Sequence, residues 1–346
     1  IVSFSLVTRT TQPFDAVLLI SFGGPEGLAD IRPFLRNVLR GRRIPEARIE
    51  AVAKHYELFD GLSPLTAITR RQAEGLRDRL QESGPQLPVF IGMRNWRPFL
   101  DDTLVQMGDA GISRALGIIL AAQHSYSSCG QYRQNITDAR VSIQTAGHRD
   151  IEIHYVGGWH THPGFIKANV EHILSAQSEL PSRVRDQARI IFTAHSIPKS
   201  MAHDCRYEID LKESARSVAA VLGTDNWHLV YQSRSGRPGD PWLEPDICDY
   251  LREEKERGLT AAVIAPLGFV ADHIEVLYDL DTEAADVCQT LGIPMARAAA
   301  VNEHPAFIDT LADLTMGMYH RAEHGRLLPI TSVEPPSRLE GPPLAR

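Results

Sequence analysis

Short apolar runs alternate with amphipathic stretches of helical period along most of this chain. Ala16–Ile20, Pro88–Gly92, Ala115–Leu120 and Ile151–Val156 read as strands, and helical stretches begin near Ile31, Ile68, Leu100 and Gly164. The pattern then restarts. Runs at Arg189–Thr193, His228–Gln232, Ala261–Ala265 and Met295–Ala299 alternate with helical stretches from about Asp210, Glu244 and Asp272. Largely apolar strands joined by helices are the mark of parallel sheets covered on both faces. The expected fold class is therefore α/β: two similar, doubly wound, Rossmann-like halves, each on a parallel four-stranded sheet. The first half is expected over residues 1–180 and the second over 181–304, with the break near Leu180-Pro181. A helix over 305–323 is expected to cross back to the first half. The Pro-rich, aperiodic stretch 324–346 reads as a disordered tail.

In doubly wound sheets ligands bind beyond the C-terminal ends of the strands. That places Phe22-Gly23-Gly24 and Arg94 on one wall of an expected cleft, and His195 and Glu275 on the other.

Composition narrows the class. With 346 residues, 43% hydrophobic and 23% charged, the chain matches a soluble globular protein of two moderate domains. A net charge of −7 argues against a general nucleic-acid binder. The apolar stretch within Ile1–Thr11 has no basic region before it and is a poor signal peptide. No window approaches the ~20 apolar residues of a membrane span. The four cysteines, Cys129, Cys205, Cys248 and Cys288, form no C-x-x-C pair and read as thiols in a reducing, cytoplasmic compartment.

Two segments carry candidate chemistry. After Gly268-Phe269-Val270-Ala271-Asp272-His273-Ile274-Glu275, acids recur at Asp279, Glu283 and Asp286. Steps of four, four and three keep them on one stripe of a helix, with Leu277, Leu280, Ala284, Val287 and Leu291 opposite. Asp272 and His273 fall where a helix cap is expected. A solvated helix face would read the same way, but so would a row of carboxylates that handles a divalent metal. The second segment is Phe192-Thr193-Ala194-His195-Ser196-Ile197-Pro198, which sets His195 at a strand's C-terminal end.

These two segments, in this order, closely resemble the ferrochelatase family. So do Ser21-Phe22-Gly23-Gly24-Pro25-Glu26, Arg40-Gly41-Arg42-Arg43, Gly61-Leu62-Ser63-Pro64-Leu65, Ile91-Gly92-Met93-Arg94-Asn95-Trp96 and Asp240-Pro241-Trp242-Leu243. The Arg-Gly-Arg, His55-Tyr56 and Arg94-Asn95-Trp96 pieces look most like the soluble coproporphyrin III ferrochelatases of Gram-positive bacteria.

The resemblance implies the class II chelatase architecture and insertion of ferrous iron into coproporphyrin III in heme biosynthesis. His195 and Glu275 would face each other across the macrocycle as catalytic residues, and His195, Glu275, Asp279 and Glu283 would be the groups that meet metal. A neutral imidazole suits removal of a pyrrole proton, since its pKa of about 6.5 lies near working pH. Nitrogen and oxygen donors suit an ion that must be released. Arg40, Arg42, Arg43, Ser63 and Tyr126 would meet propionates, and Trp242 and Phe22 would wall the ring. Phe22 stands where some relatives carry Tyr, so it can pack but not ligate. Trp96 fits either cleft wall or core.

Fe(2+) would be a substrate, with no prosthetic group. No Cys follows Cys288, so no iron–sulfur cluster is expected. A monomer is expected, with no integral membrane segment and with transient contact to neighbouring heme-pathway enzymes. Three other readings stay open: the same reaction on protoporphyrin IX, a non-catalytic heme carrier, and a cobalt chelatase.

Overall fold

The computed structural model describes residues 12–41, 45–125, 129–235 and 239–325. Ile1–Thr11, Arg42, Arg43, Tyr126 and most of the tail lie outside the described residues. Among the described residues, eight strands form two sheets. β1 (Ala16–Ser21), β2 (Val89–Met93), β3 (Arg114–Ile119) and β4 (Glu152–Tyr155) make the first, and β5 (Arg189–His195), β6 (Trp227–Gln232), β7 (Ala262–Ala265) and β8 (Met295–Arg297) the second. Their orders are β2-β1-β3-β4 and β6-β5-β7-β8. Every pairing is parallel. β1 is buried along its whole length, as its unbroken apolar run requires.

In both sheets the chain starts at an inner strand, steps one way, then returns to the other side. The order reverses between β1 and β3, and again between β5 and β7. These switch points open a crevice at the strands' C-terminal ends. Phe22 leaves β1 at the first, while His195 ends β5 and the Gly268–Glu275 segment follows β7 at the second.

The helices are α1 (Ile31–Val38), α2 (Glu46–Glu57), α3 (Pro64–Ser83), α4 (Leu100–Asp109), α5 (Gln131–Thr145), α6 (Pro163–Glu179), α7 (Ser182–Arg185), α8 (Lys199–His203), α9 (Tyr207–Leu222), α10 (Ile247–Glu256), α11 (Ile274–Val276), α12 (Ala285–Leu291) and α13 (Pro305–Glu323). Pro64 opens α3 a turn earlier than its apolar period indicates, because Pro at the first helical position gives up only an N–H that has no partner anyway. The apolar pattern did not reveal α2 and α5. Each buries few side chains and is polar around most of its girth.

α6 and α13 exchange places. α6 ends the first half yet packs on β7, β8 and α9, whereas α13 ends the second yet packs on α3 and β3. They cross at Gly164, where a Cβ would lie 2.3 Å from the Ala306 carbonyl oxygen. Trp159 and Phe307 each meet Phe165 edge-on and tilt against each other around that crossing, with ring centres 5.5 to 6.3 Å apart. Both helices open alike, on His162-Pro163-Gly164-Phe165-Ile166 and His304-Pro305-Ala306-Phe307-Ile308. In each, the leading His accepts a backbone N–H on Nδ1. The exchange runs one apolar core through both halves.

Candidate active site

His195 is fixed from several sides. It is the last residue of β5 and pairs with Gln232 of β6. Its carbonyl accepts a hydrogen bond from Tyr207 Oη at 3.0 Å. Just beyond it, Ser196 N–H donates to Gln232 O, and Ser196 Oγ donates to Leu243 O. The ring is fixed as well. Nδ1 lies 2.5 Å from the Ser196 carbonyl oxygen. A carbonyl can only accept, so Nδ1 carries a proton, and it is Nε2 that bears the lone pair in the neutral form of the ring. Nε2 sits 3.8 Å from Glu275 Oε2, beyond hydrogen-bond range, and both side chains are open to solvent. A basic nitrogen thus faces a carboxylate across a gap.

Glu275 reaches that position through the loop after β7. Gly268 lets the loop cross directly behind His195, since a Cβ there would meet Ala194 Cβ at 2.5 Å. The loop then plugs into the first half. Ala271 packs with Leu65, Ile68 and Phe22, and Ile274 packs with Phe34, Tyr56 and Trp96. Burial of Ile274 alone is worth about 1.5–3 kcal/mol. Gln72 on α3 donates to the carbonyls of Val270 and Asn302. Glu275 therefore stands where the halves join.

The acids beyond Glu275 are not on the expected α-helix. Leu277–Ala284 is a π-helix between α11 and α12. Its hydrogen bonds close at i+5, so a turn takes more than 3.6 residues and steps of four still return to nearly one side. Each acid meets a different element. Asp279 Oδ2 accepts from Gln232 Nε2 at 3.1 Å and also from Ser233 Oγ. Ser233 follows β6 with φ +59°, a left-handed conformation that an L-residue holds at a cost. Burial, reinforced by Glu275 and Glu283, pushes the Asp279 carboxyl up to about 7 against these two bonds. Burial and Asp246 also raise Glu283, which takes a hydrogen bond from Tyr278. Among the described residues, no three of His195, Glu275, Asp279 and Glu283 gather within 4.8 Å, so they form a row and not one coordination sphere.

Asp272 and His273 do not cap α11 as expected. No side chain bonds the helix start. Asp272 instead accepts from Arg297 Nη1 at 2.8 Å and Asn302 Nδ2 at 2.7 Å, because a partly buried arginine offers it a stronger partner than a free amide. Burial holds the His273 imidazole below the ordinary histidine range.

On the opposite wall, Phe22 packs edge-on to Phe34 at 6.2 Å, with the Arg94 guanidinium 5.8 Å from its ring centre. Trp96 is core, 8% exposed. Ser63 is buried under the Gly23-Gly24 turn, where a Cβ on Gly24 would meet its Oγ at 2.6 Å. Its hydroxyl is therefore not on an open rim. Arg40 is exposed and donates to Asn37 Oδ1. Trp242 is partly buried and bridges to Pro198, beside the His195 segment.

Three contributors escaped the sequence reading. The Tyr56 hydroxyl is buried within the field of Glu275 and Asp279, which raises its pKa further. His55 stacks on Tyr278 at 3.9 Å, tying α2 to the π-helix. Gln232-Ser233 holds Asp279. The His55-Tyr56 pair was visible as a motif, but nothing along the chain marks Ser233.

The ferrochelatase family model matches residues 14–318. The coproporphyrin III ferrochelatase of Streptomyces coelicolor is 45% identical over 320 residues, covering 88% of this chain and 85% of that protein. The ferrochelatase of Rhodopirellula baltica is 45% identical over 306 residues, covering 87% and 85%. The coproporphyrin III ferrochelatase of Mycolicibacterium smegmatis is 42% identical over 332 residues, covering 95% and 93%. SirB from Bacillus subtilis with Fe3+ superposes with a TM-score of 0.54 at 13% identity, over 89% of this chain and 97% of that one, a likeness of fold. The match over nearly the whole length of both sheets, with His195 and Glu275 facing across the joint, makes this chain a member of the ferrochelatase family.

Proposed function

We propose that this chain inserts ferrous iron into coproporphyrin III to give coproheme, a step of heme biosynthesis. One observation carries the reading: the lone pair of His195 Nε2 faces the Glu275 carboxylate across an open gap at the junction of the halves. Metallation needs a ferrous ion to approach the macrocycle and two pyrrole protons to leave. His195 Nε2 accepts a proton. Glu275, Asp279 and Glu283 offer oxygen donors that guide the ion, or carry protons outward, without holding either tightly. Asp279 is suited to the second task because its carboxyl titrates near neutral pH.

Phe22 packs on the ring from the other wall, and Trp242 flanks it. Arg40, with Arg42, Arg43 and Tyr126 outside the described residues, supplies charge and hydrogen bonds for propionates. Ser63 acts through the turn it supports. Fe(2+) is substrate, and no prosthetic group or iron–sulfur cluster takes part. Among the described residues no helix is long and apolar enough to cross a membrane. We place the protein in the cytoplasm as a monomer that meets other enzymes of its pathway transiently.

Competitive anaerobic turnover of coproporphyrin III and protoporphyrin IX tests the substrate. The expected result is preference for the tetracarboxylate, weakened in an Arg42→Ala, Arg43→Ala variant. A wild type that prefers protoporphyrin IX would overturn the substrate and leave iron insertion standing.

A further inference from the structure

Away from the His195–Glu275 gap, a cluster of imidazole and carboxylate side chains bridges the two halves. His124 lies in the loop after β3 and His160 in the loop after β4, whereas Asp210 and Glu213 sit one turn apart on α9. His124 Nδ1 is 2.7 Å from Asp210 Oδ2. His160 Nε2 is 3.7 Å from Asp210 Oδ1 and 2.8 Å from Glu213 Oε2. Among the described residues, His124, His160 and Asp210 form the only trio of His, Cys, Asp or Glu whose ligand atoms all lie within 4.8 Å of one another.

These spacings suit a tetrahedral ion. Ligand bonds of about 2.1 Å place neighbouring donors roughly 3.4 Å apart, inside the range the three contacts span. Small rotations would close the set. The burial pattern is that of a built site. Asp210 is 0% exposed and the His160 side chain 14%, while His124 and Glu213 leave an approach from solvent. Gly158 gives His124 its room, since a Cβ there would meet the ring at 2.3 Å.

A fully buried carboxylate needs cationic balance. Arg206 now supplies part of it, with Nε 3.2 Å from Asp210 Oδ1 and Nη2 3.6 Å from Glu213 Oε1. Its side chain is 59% exposed, so it can swing into water when a stronger cation arrives. A salt-bridge cluster that merely pins α9 would use the same residues. The convergence of two imidazole nitrogens on two carboxylates is what a metal would add to that role.

We propose that His124, His160, Asp210 and Glu213 bind a divalent cation of the zinc or ferrous class, distinct from the ion delivered to the porphyrin. The ion braces the first half against the second. α9 carries this brace to the active site, because Tyr207, one turn before Asp210, bonds the His195 carbonyl. Binding displaces the proton shared between His124 and Asp210 and releases Arg206.

The test uses chelator-stripped full-length protein with Co2+ and Zn2+ as probes, in a His195→Ala, Glu275→Ala background that silences the cleft. The expected result is a visible tetrahedral Co2+ band, at one ion per chain, that Zn2+ displaces. Zn2+ should also raise the melting temperature. His124→Ala and His160→Ala should each weaken Co2+ binding at least tenfold and abolish the Zn2+ melting shift. Arg206→Gln keeps every ligand and removes the competing cation, so it should bind Zn2+ several-fold more tightly. Absence of the tetrahedral band in the silenced background would overturn the proposal, as would a band indifferent to both His substitutions. If either His variant fails to fold, Arg206→Gln decides: unchanged or weaker Zn2+ affinity overturns the site.

Discussion

Asp279→Asn is expected to stabilise the fold in a pH-dependent way while slowing turnover. Both hydrogen bonds to Asp279, from Gln232 and Ser233, end on one oxygen, Oδ2. An Asn amide oxygen can keep both, so the substitution removes charge with little change of shape. Burial and the neighbouring acids raise this carboxyl from 3.8 to about 7. Between those values the folded state holds a proton that the unfolded state has lost, so stability falls as pH rises through that window. The displacement is worth at most ~4 kcal/mol, and about 2 after allowing for solvent at a partly buried group. The advantage of Asp279→Asn should therefore grow by roughly 1 kcal/mol between pH 5 and pH 8, nearly all of it below pH 7, then level off. Urea denaturation at fixed protein concentration across that range measures it. Comparison with wild type cancels the other titrating groups. An advantage that is flat with pH, or a loss of stability at pH 8, would refute the raised carboxyl and with it the idea that Asp279 exchanges protons near neutrality.

Gly24→Ala drives a methyl group to 2.6 Å from Ser63 Oγ, and should cost ~1–3 kcal/mol in urea melts. Ser63→Gly in the same chain should restore most of that loss, and failure to rescue would show that Ser63 is not the obstacle. His55, His162, His172, His228 and His273 are all held below the ordinary histidine range, with burial as the main cause. Their contribution is present above the unfolded value of about 6.5 and is lost as pH falls through their folded values. Melting temperatures should thus drop on acidification below that point, more steeply in Asp279→Asn, and a flat profile there would contradict the burial.

The strands were legible because a parallel strand covered on both faces must be apolar nearly throughout, as Ala16–Ser21 is. The strand-end positions of His195 and Glu275 were legible from the apolar runs before them, whereas their pairing was implied by the resemblance of both segments to one family. Helices α2 and α5 were passed over although their buried residues, Ile49, Ala53 and Tyr56, and Tyr132, Ile136, Ala139 and Ile143, recur at helical steps of three and four, because each stripe is narrow on an otherwise polar helix. The exchange of α6 and α13 is tertiary: their shared His-Pro opening suggests equivalence but not which sheet each covers. The π-helix escaped because its acids recur at steps that an α-helix also brings together. Asp272 misled for a related reason: its position before a helix fits a cap, but Arg297, distant along the chain, claims it. Ser63 lies buried because Gly24 sits directly on it, a contact that spacing along the chain cannot convey.

The most direct measurement is anaerobic insertion of Fe(2+) into coproporphyrin III by wild type and His195→Ala, with porphyrin affinity measured in parallel. His195 Nε2 lines an open gap, so its loss should leave folding and porphyrin binding within a few-fold of wild type. Removal of the base should lower turnover about 100-fold or more. Near-normal turnover in His195→Ala, or a wild type that binds coproporphyrin III and leaves it unmetallated, would contradict the assignment.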